Sequence, residues 1–237
     1  MTNKTLAIFE EGKLIQDAKG RREFENIYIY SNGSTRTRKD NIYIITEKNG
    51  SLFTDANGNT EFDCAYRFDD GSSRTAINDI YIITEIDGSL FTDAKGNTEF
   101  DYMYRFAEWS TVTIINDIAI LTEKDGSLFK DAKGNYEFDY VIRYPDGLTK
   151  TKKDNIYIIT EIDGSPFTDY KGNTEFDYVN RYSDGSTNTE INNIYIITEK
   201  DGSLFKDAKG NYEFDYVNRH LNGSTETIKN GVTIITN

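Results

Sequence analysis

The sequence has few of the residues on which disulfide scaffolds and metal centres depend. Its 237 residues include one cysteine, one histidine, one tryptophan and two prolines. The single Cys64 cannot form a disulfide within the chain, and one histidine excludes a site built from several histidines. No apolar run approaches the roughly 20 residues of a membrane span. We therefore predict no disulfide framework, no cofactor and no membrane span.

Basic residues are in the minority. Lysine and arginine number 27 against 40 aspartates and glutamates, which gives a net charge of −13 and an isoelectric point near 4.6. Such a surface repels phosphate, so we expect no nucleic-acid partner. No signal peptide is visible at the N-terminus, and the expected location is cytoplasmic by default. Seventeen tyrosines and fourteen phenylalanines argue against disorder.

The sequence is dominated by a strict internal repeat. An aspartate, with a glycine three residues later, recurs every 38 residues without insertion or linker. These aspartates are Asp17, Asp55, Asp93, Asp131, Asp169 and Asp207. We therefore predict a single repeat domain over 1–237. Its units are approximately 4–41, 42–79, 80–117, 118–155, 156–193 and 194–230, followed by a terminal strand at 231–237.

Each repeat has the pattern of four short antiparallel strands. Apolar residues alternate at period two, and Asp-Gly, Lys-Gly-Asn and Asn-Gly supply tight turns. The first strand, such as Ile156–Thr160, is apolar on both faces, whereas the fourth, Ser186–Glu190, is polar and predicted to be an exposed edge. This gradient of burial is typical of a propeller blade. We predict an all-β, six-bladed β-propeller.

Two features favour an alternative, an open superhelical array of β-hairpins. A repeat of 38 residues is short for a four-stranded blade. Pairs such as Asn78-Asp79 and Asp154-Asn155 separate the fourth strand from the next first strand. They suit two-residue hairpins, which would join all strands into one meander.

One segment of the repeat resembles a known family. The sequence Phe176-Asp-Tyr-Val-Asn-Arg-Tyr-Ser-Asp-Gly185 is similar to the bacterial WG-type β-repeats, in which an aromatic-Asp pair precedes an aromatic-Ser-x-Gly turn. The likeness spans about ten residues in five of the six repeats, and Ile-Tyr-Ile-Ile replaces the Trp-Gly pair that names the family. The resemblance implies a repeat module rather than a particular activity.

Two residue series are candidate ligand-binding positions. Arginines on the third predicted strand, together with nearby tyrosines, could form several equivalent polar pockets. The positions are Arg67, Arg105, Arg143, Arg181 and Arg219, with Tyr102, Tyr140, Tyr178 and Tyr216. The competing interpretation is a structural ladder of Asp–Arg ion pairs. Trp109, alone in a turn where other repeats have glycine, is a further candidate anchor for a partner.

The repeated carboxylates do not favour catalysis. A glycosidase needs two carboxyl groups in different environments, whereas sixfold repetition gives every copy nearly the same one. We predict that the protein is not an enzyme. The Asp-Ala-Lys-Gly-Asn turn lacks the ligand spacing of a calcium loop, so no metal site is predicted. Its aspartate is expected to accept hydrogen bonds from the backbone of the turn.

The predicted function is a non-enzymatic, multivalent binding or structural scaffold that mediates protein interaction or assembly. The alternative is a carbohydrate-binding repeat lectin with several equivalent sites between repeats. There, tyrosines would stack on sugars and aspartate or asparagine would bind hydroxyls. The expected partner is therefore a protein or a glycan.

Overall fold

The computed structural model describes residues 9–10, 13–14, 16–106, 110–220 and 222–236. The chain divides into two compact halves, Met1–Leu128 and Phe129–Asn237. None of the described residues forms a helix that could cross a membrane. The described elements are β-strands, and they pair antiparallel throughout, so the all-β prediction is confirmed. Closure into a propeller ring and the union of all repeats in one domain stay predictions.

The N-terminal half contains a two-stranded sheet and three three-stranded sheets. The two-stranded sheet is β1 (Phe9–Glu10) and β2 (Lys13–Leu14). Sheet one is β3 (Asn26–Ile29), β4 (Thr35–Lys39) and β5 (Ile42–Thr46). Sheet two is β6 (Cys64–Arg67), β7 (Ser73–Ile77) and β8 (Ile80–Thr84). Sheet three is β9 (Tyr102–Arg105), β10 (Thr111–Ile115) and β11 (Ile118–Thr122).

The C-terminal half contains three further sheets of the same kind. Sheet four is β12 (Tyr140–Arg143), β13 (Thr149–Lys153) and β14 (Ile156–Thr160). Sheet five is β15 (Tyr178–Arg181), β16 (Thr187–Ile191) and β17 (Ile194–Thr198). Sheet six is β18 (Tyr216–Arg219), β19 (Thr225–Lys229) and β20 (Val232–Thr236).

The sheets cross the predicted boundaries between repeats. Sheet five joins the predicted third and fourth strands of one repeat to the first strand of the next. The connection is a two-residue hairpin at Asn192 and Asn193, where φ is 52° and 61°. Two consecutive positive φ values define a type I′ turn, which asparagine and aspartate tolerate. The hairpin interpretation of these residue pairs is confirmed.

The number of strands differs from the prediction in repeats two to six, because the second predicted strand of these repeats forms no ladder. In the first repeat the second predicted strand is β2, which pairs with β1. Leu204 makes one isolated bridge to Thr198. The segment lies between a turn in which Gly202 N–H donates to Glu199 O at 2.9 Å and the turn that begins at Asp207. Too few residues remain between the two turns for continuous pairing. Apart from the two-stranded sheet of β1 and β2, the described sheets are three-stranded rather than four-stranded.

The polar strand is buried, so the predicted exposed edge is wrong. β16 is the central strand of sheet five, and Thr187 and Thr189 are 0% and 1% exposed. Threonine is β-branched and suits a strand, and its hydroxyl can be buried when it has a hydrogen-bond partner. Arg181 Nη1 donates to Thr187 Oγ1 at 2.9 Å. The polar composition marks a buried, hydrogen-bonded strand rather than a solvated one.

The apolar core is repeated from sheet to sheet. In the last copy Ile197, Phe214 and Val217 form a buried cluster, against which Tyr195 and Phe205 pack. The phenylalanine recurs in buried form in each repeat, as Phe24, Phe62, Phe100, Phe138, Phe176 and Phe214. This buried phenylalanine lies two residues before the first strand of its sheet.

Candidate functional site

Two of the predicted arginines are buried and held by ion pairs. Arg67 and Arg105 are 8% and 9% exposed. Nη1 and Nη2 of Arg67 lie 2.8 and 2.6 Å from the carboxylate of Glu47. The same two atoms of Arg105 lie 3.0 and 2.7 Å from Glu85. A guanidinium bound at two points in this way supports the fold rather than a ligand.

Arg105 has further partners besides Glu85. Its Nε donates to Thr111 Oγ1 at 3.1 Å, and its Nη1 lies 3.0 Å from Asp70 and 2.9 Å from Ser72 Oγ. Burial alone would lower the pKa of this guanidinium, but the bonds to Glu85 and Asp70 outweigh burial and raise the pKa. Arg105 therefore stays charged within its network.

A ladder of Asp–Arg pairs exists, but its aspartates are not the predicted ones, which stand four residues before each arginine. The paired aspartates stand in the turns, 35 residues before the arginine, and each pair joins neighbouring sheets of one half. The pairs are Asp70 with Arg105 (3.0 Å), Asp146 with Arg181 (3.4 Å) and Asp184 with Arg219 (3.0 Å). Arg143 donates from Nε to Thr149 Oγ1 at 3.0 Å and lies over the Phe129 ring.

The aspartates that precede the arginines on the third predicted strand have another role. Asp63 Oδ2 accepts the backbone N–H of Asn78, in the type I′ hairpin, at 2.7 Å. The same bond recurs at Asp101 with Asn116, Asp139 with Asp154, Asp177 with Asn192 and Asp215 with Asn230. These carboxylates fix the hairpin and do not pair with the predicted arginines.

The predicted tyrosines lie on the opposite face of each strand from the arginines. Tyr102 is the first residue of β9 and is 47% exposed, whereas Met103 and Arg105 on the same strand are buried. Side chains alternate along a strand, so residues three apart face opposite ways. Tyr140, Tyr178 and Tyr216 hold the same position in sheets four to six and are likewise exposed.

Two of the exposed tyrosines pack against a neighbouring tyrosine ring. The rings of Tyr157 and Tyr178 meet edge-on with centroids 6.2 Å apart, and Tyr81 and Tyr102 meet similarly at 6.0 Å. Partial burial raises the pKa of the Tyr178 phenol. The Tyr102 and Tyr178 rings are therefore oriented by their neighbours.

The aspartate of the Asp-Ala-Lys-Gly-Asn turn is saturated by internal donors. Asp93 Oδ1 accepts the N–H groups of Lys95 at 2.9 Å and Asn97 at 2.8 Å, and Oδ2 accepts Asn97 Nδ2 and Thr113 Oγ1. The prediction that this aspartate binds its own turn is confirmed. Within the described ranges, no cluster of three or more histidine, cysteine, aspartate or glutamate side chains could hold a metal.

The third candidate, Trp109, lies outside the described residues. Sequence reasoning also missed a groove of about 470 Å³ between sheets two and three. Its aromatic lining consists of Tyr66, Phe68, Tyr102, Tyr104 and Phe106. The signal that could have found it is a break in the repeat. Phe68 stands where Tyr30 stands in the first repeat.

No protein-family model and no curated protein matches the sequence. Among solved structures, it is similar to streptogramin B lyase at 12% identity, with a TM-score of 0.33 over 93% of this chain and 84% of that chain. It is similar to the WD40 β-propeller domain of Doa1 at 14% identity, with a TM-score of 0.33 over 88% and 76%. A chain of the mitotic checkpoint complex matches at 10% identity, with a TM-score of 0.38 over 90% and 73%.

Proposed function

We propose that the protein is a non-enzymatic scaffold that binds protein partners through exposed tyrosines. These tyrosines begin the first strand of each of sheets three to six, namely β9, β12, β15 and β18. The observation that carries this proposal is that one exposed tyrosine recurs at the same register position in four sheets, as Tyr102, Tyr140, Tyr178 and Tyr216. Tyrosine is enriched in protein interfaces because it offers a large contact area at a low cost in conformational entropy.

The packing of these tyrosines supports a binding role. Tyr178 rests on Tyr157, and Tyr102 rests on Tyr81, so little side-chain freedom remains to be lost on binding. One exposed ring provides a weak contact. Several equivalent rings that engage one multivalent partner would provide useful affinity.

The internal satisfaction of charged groups supports a non-enzymatic role. Asp63 and its equivalents accept hairpin N–H groups, and Lys19 pairs with Glu61 at 2.5 Å. Four of the candidate arginines, Arg67, Arg105, Arg181 and Arg219, are paired with carboxylates of the protein itself. This pairing argues against a lectin with an arginine pocket in every repeat. The scaffold interpretation requires only the exposed rings.

The proposal is tested by panning a random peptide library against the immobilised protein and measuring the selected peptides by calorimetry. The triple variant Y140A/Y178A/Y216A is expected to bind at least tenfold more weakly, and each single variant about two- to threefold more weakly. The control is Y170A/Y212A, which removes two exposed tyrosines that lie outside β15 and β18 and should leave binding unchanged.

Circular dichroism verifies that the triple variant is folded. Normal binding by a folded triple variant would show that the contact surface lies elsewhere. Selection of no peptide, together with binding of several glycans on an array, would favour the carbohydrate alternative. A generic hydrolase screen addresses the enzyme question directly, and turnover would contradict a purely binding role.

A further inference from the structure

Within each half, a tyrosine hydroxyl links neighbouring sheets. Tyr30, which follows β3, accepts a hydrogen bond from the backbone N–H of Arg67 at 3.1 Å. Its ring also meets the Tyr66 ring edge-on, with centroids 6.2 Å apart. This N–H belongs to β6, the edge strand of sheet two. The equivalent interactions in the C-terminal half join Tyr144 with Arg181 and Tyr182 with Arg219.

The junction between sheets two and three departs from this pattern. Phe68 replaces the tyrosine, and a phenyl ring has no hydroxyl with which to accept the N–H of Arg105. The Phe68 ring packs edge-on against Tyr66, with centroids 5.2 Å apart. The 470 Å³ groove lies at this junction, and its volume falls in the range of about 300–1,000 Å³ usual for small-ligand sites.

The walls of the groove combine aromatic rings with a few polar groups. Tyr104 is 48% exposed and meets Phe106 edge-on at 4.9 Å. The Arg74 guanidinium lies 5.8 Å from the Tyr102 ring. The carboxylate of Asp69 also lines the groove. Aromatic surface with a small number of oriented donors and acceptors is the composition of a site for a small polar molecule that has apolar faces.

We propose that this groove binds one neutral pyranose unit of a glycan. A pyranose has C–H faces that stack on aromatic rings such as Tyr104, and hydroxyls that can bond to Asp69 and Arg74. The proposal assigns one site at one junction, in contrast to a lectin with an equivalent site in every repeat. It is tested separately from the proposed protein contacts through Tyr140, Tyr178 and Tyr216, which do not line the groove; Tyr102, the fourth tyrosine of that series, lines it.

The charges in the groove favour a neutral ligand. The Arg74 and Arg105 guanidinium groups already lie over aromatic rings, 5.9 Å from Tyr66 and 5.8 Å from Phe68, so these ring faces repel a second cation. The charge of the two guanidinium groups balances that of Asp69 and Asp70 in the same lining. A ligand anion would face Asp69 and a chain of net charge −13. A neutral ring rich in hydroxyls meets neither form of repulsion.

The test is titration of the whole protein with cellobiose, maltose, lactose and N,N′-diacetylchitobiose, with binding of each sugar measured by saturation-transfer NMR. Choline and glucuronate serve as the cationic and anionic comparisons. We expect at least one neutral disaccharide to bind with a dissociation constant below about 10 mM, and neither ionic probe to bind more tightly. Failure of all four disaccharides, or a preference for either ionic probe, would overturn the proposal.

Matched variants locate the site. Tyr104→Ala is expected to weaken binding at least tenfold. Tyr28→Ala, at the same register position in sheet one and 52% exposed, is expected to leave binding unchanged. Phe68→Tyr introduces the hydroxyl that Tyr30, Tyr144 and Tyr182 carry at the equivalent position, and is expected to weaken binding at least fivefold without lowering the melting temperature. Unchanged binding in both Tyr104→Ala and Phe68→Tyr would place the sugar elsewhere and refute the groove.

Discussion

The Arg105 guanidinium contacts the Glu85 carboxylate at two points, with Nη1–Oε2 at 3.0 Å and Nη2–Oε1 at 2.7 Å. Glu85 follows the last strand of sheet two, and Arg105 ends the first strand of sheet three. The ion pair therefore ties two neighbouring sheets together. Its counterpart, Arg67 with Glu47, does the same for sheets one and two.

Removal of this guanidinium should destabilise the fold. Arg105→Ala leaves Glu85 and the buried Asp70 without their cation, so we expect a loss of about 3 kcal/mol in the free energy of unfolding. Urea denaturation followed by circular dichroism measures the loss. The control is Arg22→Ala at an exposed position, with an expected change below about 0.5 kcal/mol. Equal effects of the two variants would contradict a structural role for Arg105.

The buried polar strand gives a second prediction. Ile158→Asp and Thr187→Asp each place a carboxylate in a site that is at most 5% exposed. Each should lower the free energy of unfolding by about 2 kcal/mol or more. Thr168→Asp, at an exposed position in the same half, should cost less than about 1 kcal/mol. Melting temperatures rank the three variants. A Thr187→Asp variant as stable as Thr168→Asp would show that β16 is solvated.

The sequence was sufficient for the class of structure and for its local turns. Period-two alternation predicts strands, and paired Asn and Asp residues predict the type I′ hairpins, as at Asn192-Asn193. The internal bonds of Asp93 follow from the tendency of aspartate to bond the backbone of its own turn. These features depend on residues close together in the chain, so a single sequence contains them.

The grouping of strands into sheets and the burial of polar residues required the structure. Thr187 is polar by composition but buried, because Arg181 supplies its hydroxyl with a partner. Arg105 likewise has its partner in Glu85, twenty residues away. Such pairings depend on which sheets are neighbours, and local pattern does not specify that. The groove could have been suspected from Phe68 and Phe106, which stand where Tyr30, Tyr144 and Tyr182 stand in other repeats.

A third prediction concerns alkaline stability. Burial, together with the hydrogen bond and charge of Glu190, raises the pKa of Tyr195 from 10.0 to about 12. Because the folded pKa exceeds the unfolded one, the contribution of this phenol is fully present below pH 10 and is lost as the pH rises through about 12. Tyr195→Phe should reduce the fall in unfolding free energy between pH 9 and 11, as measured by urea titration. Tyr170→Phe, at an exposed position, is the control.

The last prediction concerns acid stability. Burial alone would raise the pKa of Asp207, but hydrogen bonds from Asn211 and Lys209 outweigh it and lower the pKa below 3.8. A depressed folded pKa stabilises the fold above the unfolded pKa, and this contribution is lost as the pH falls through the folded value. Asp207→Asn cannot accept the same bonds at Oδ2, so we expect a loss of about 1–3 kcal/mol at pH 7.

The difference in unfolding free energy between the wild type and Asp207→Asn should therefore shrink as the pH falls below the ordinary aspartate pKa and the wild-type carboxyl takes up a proton. Asp79→Asn is the matched control, because Asn155 and Asn193 already stand at this hairpin position in other repeats. It should leave both the stability and its pH dependence unchanged. A constant difference between wild type and Asp207→Asn from pH 7 to pH 2 would show that geometry rather than charge makes Asp207 stabilising.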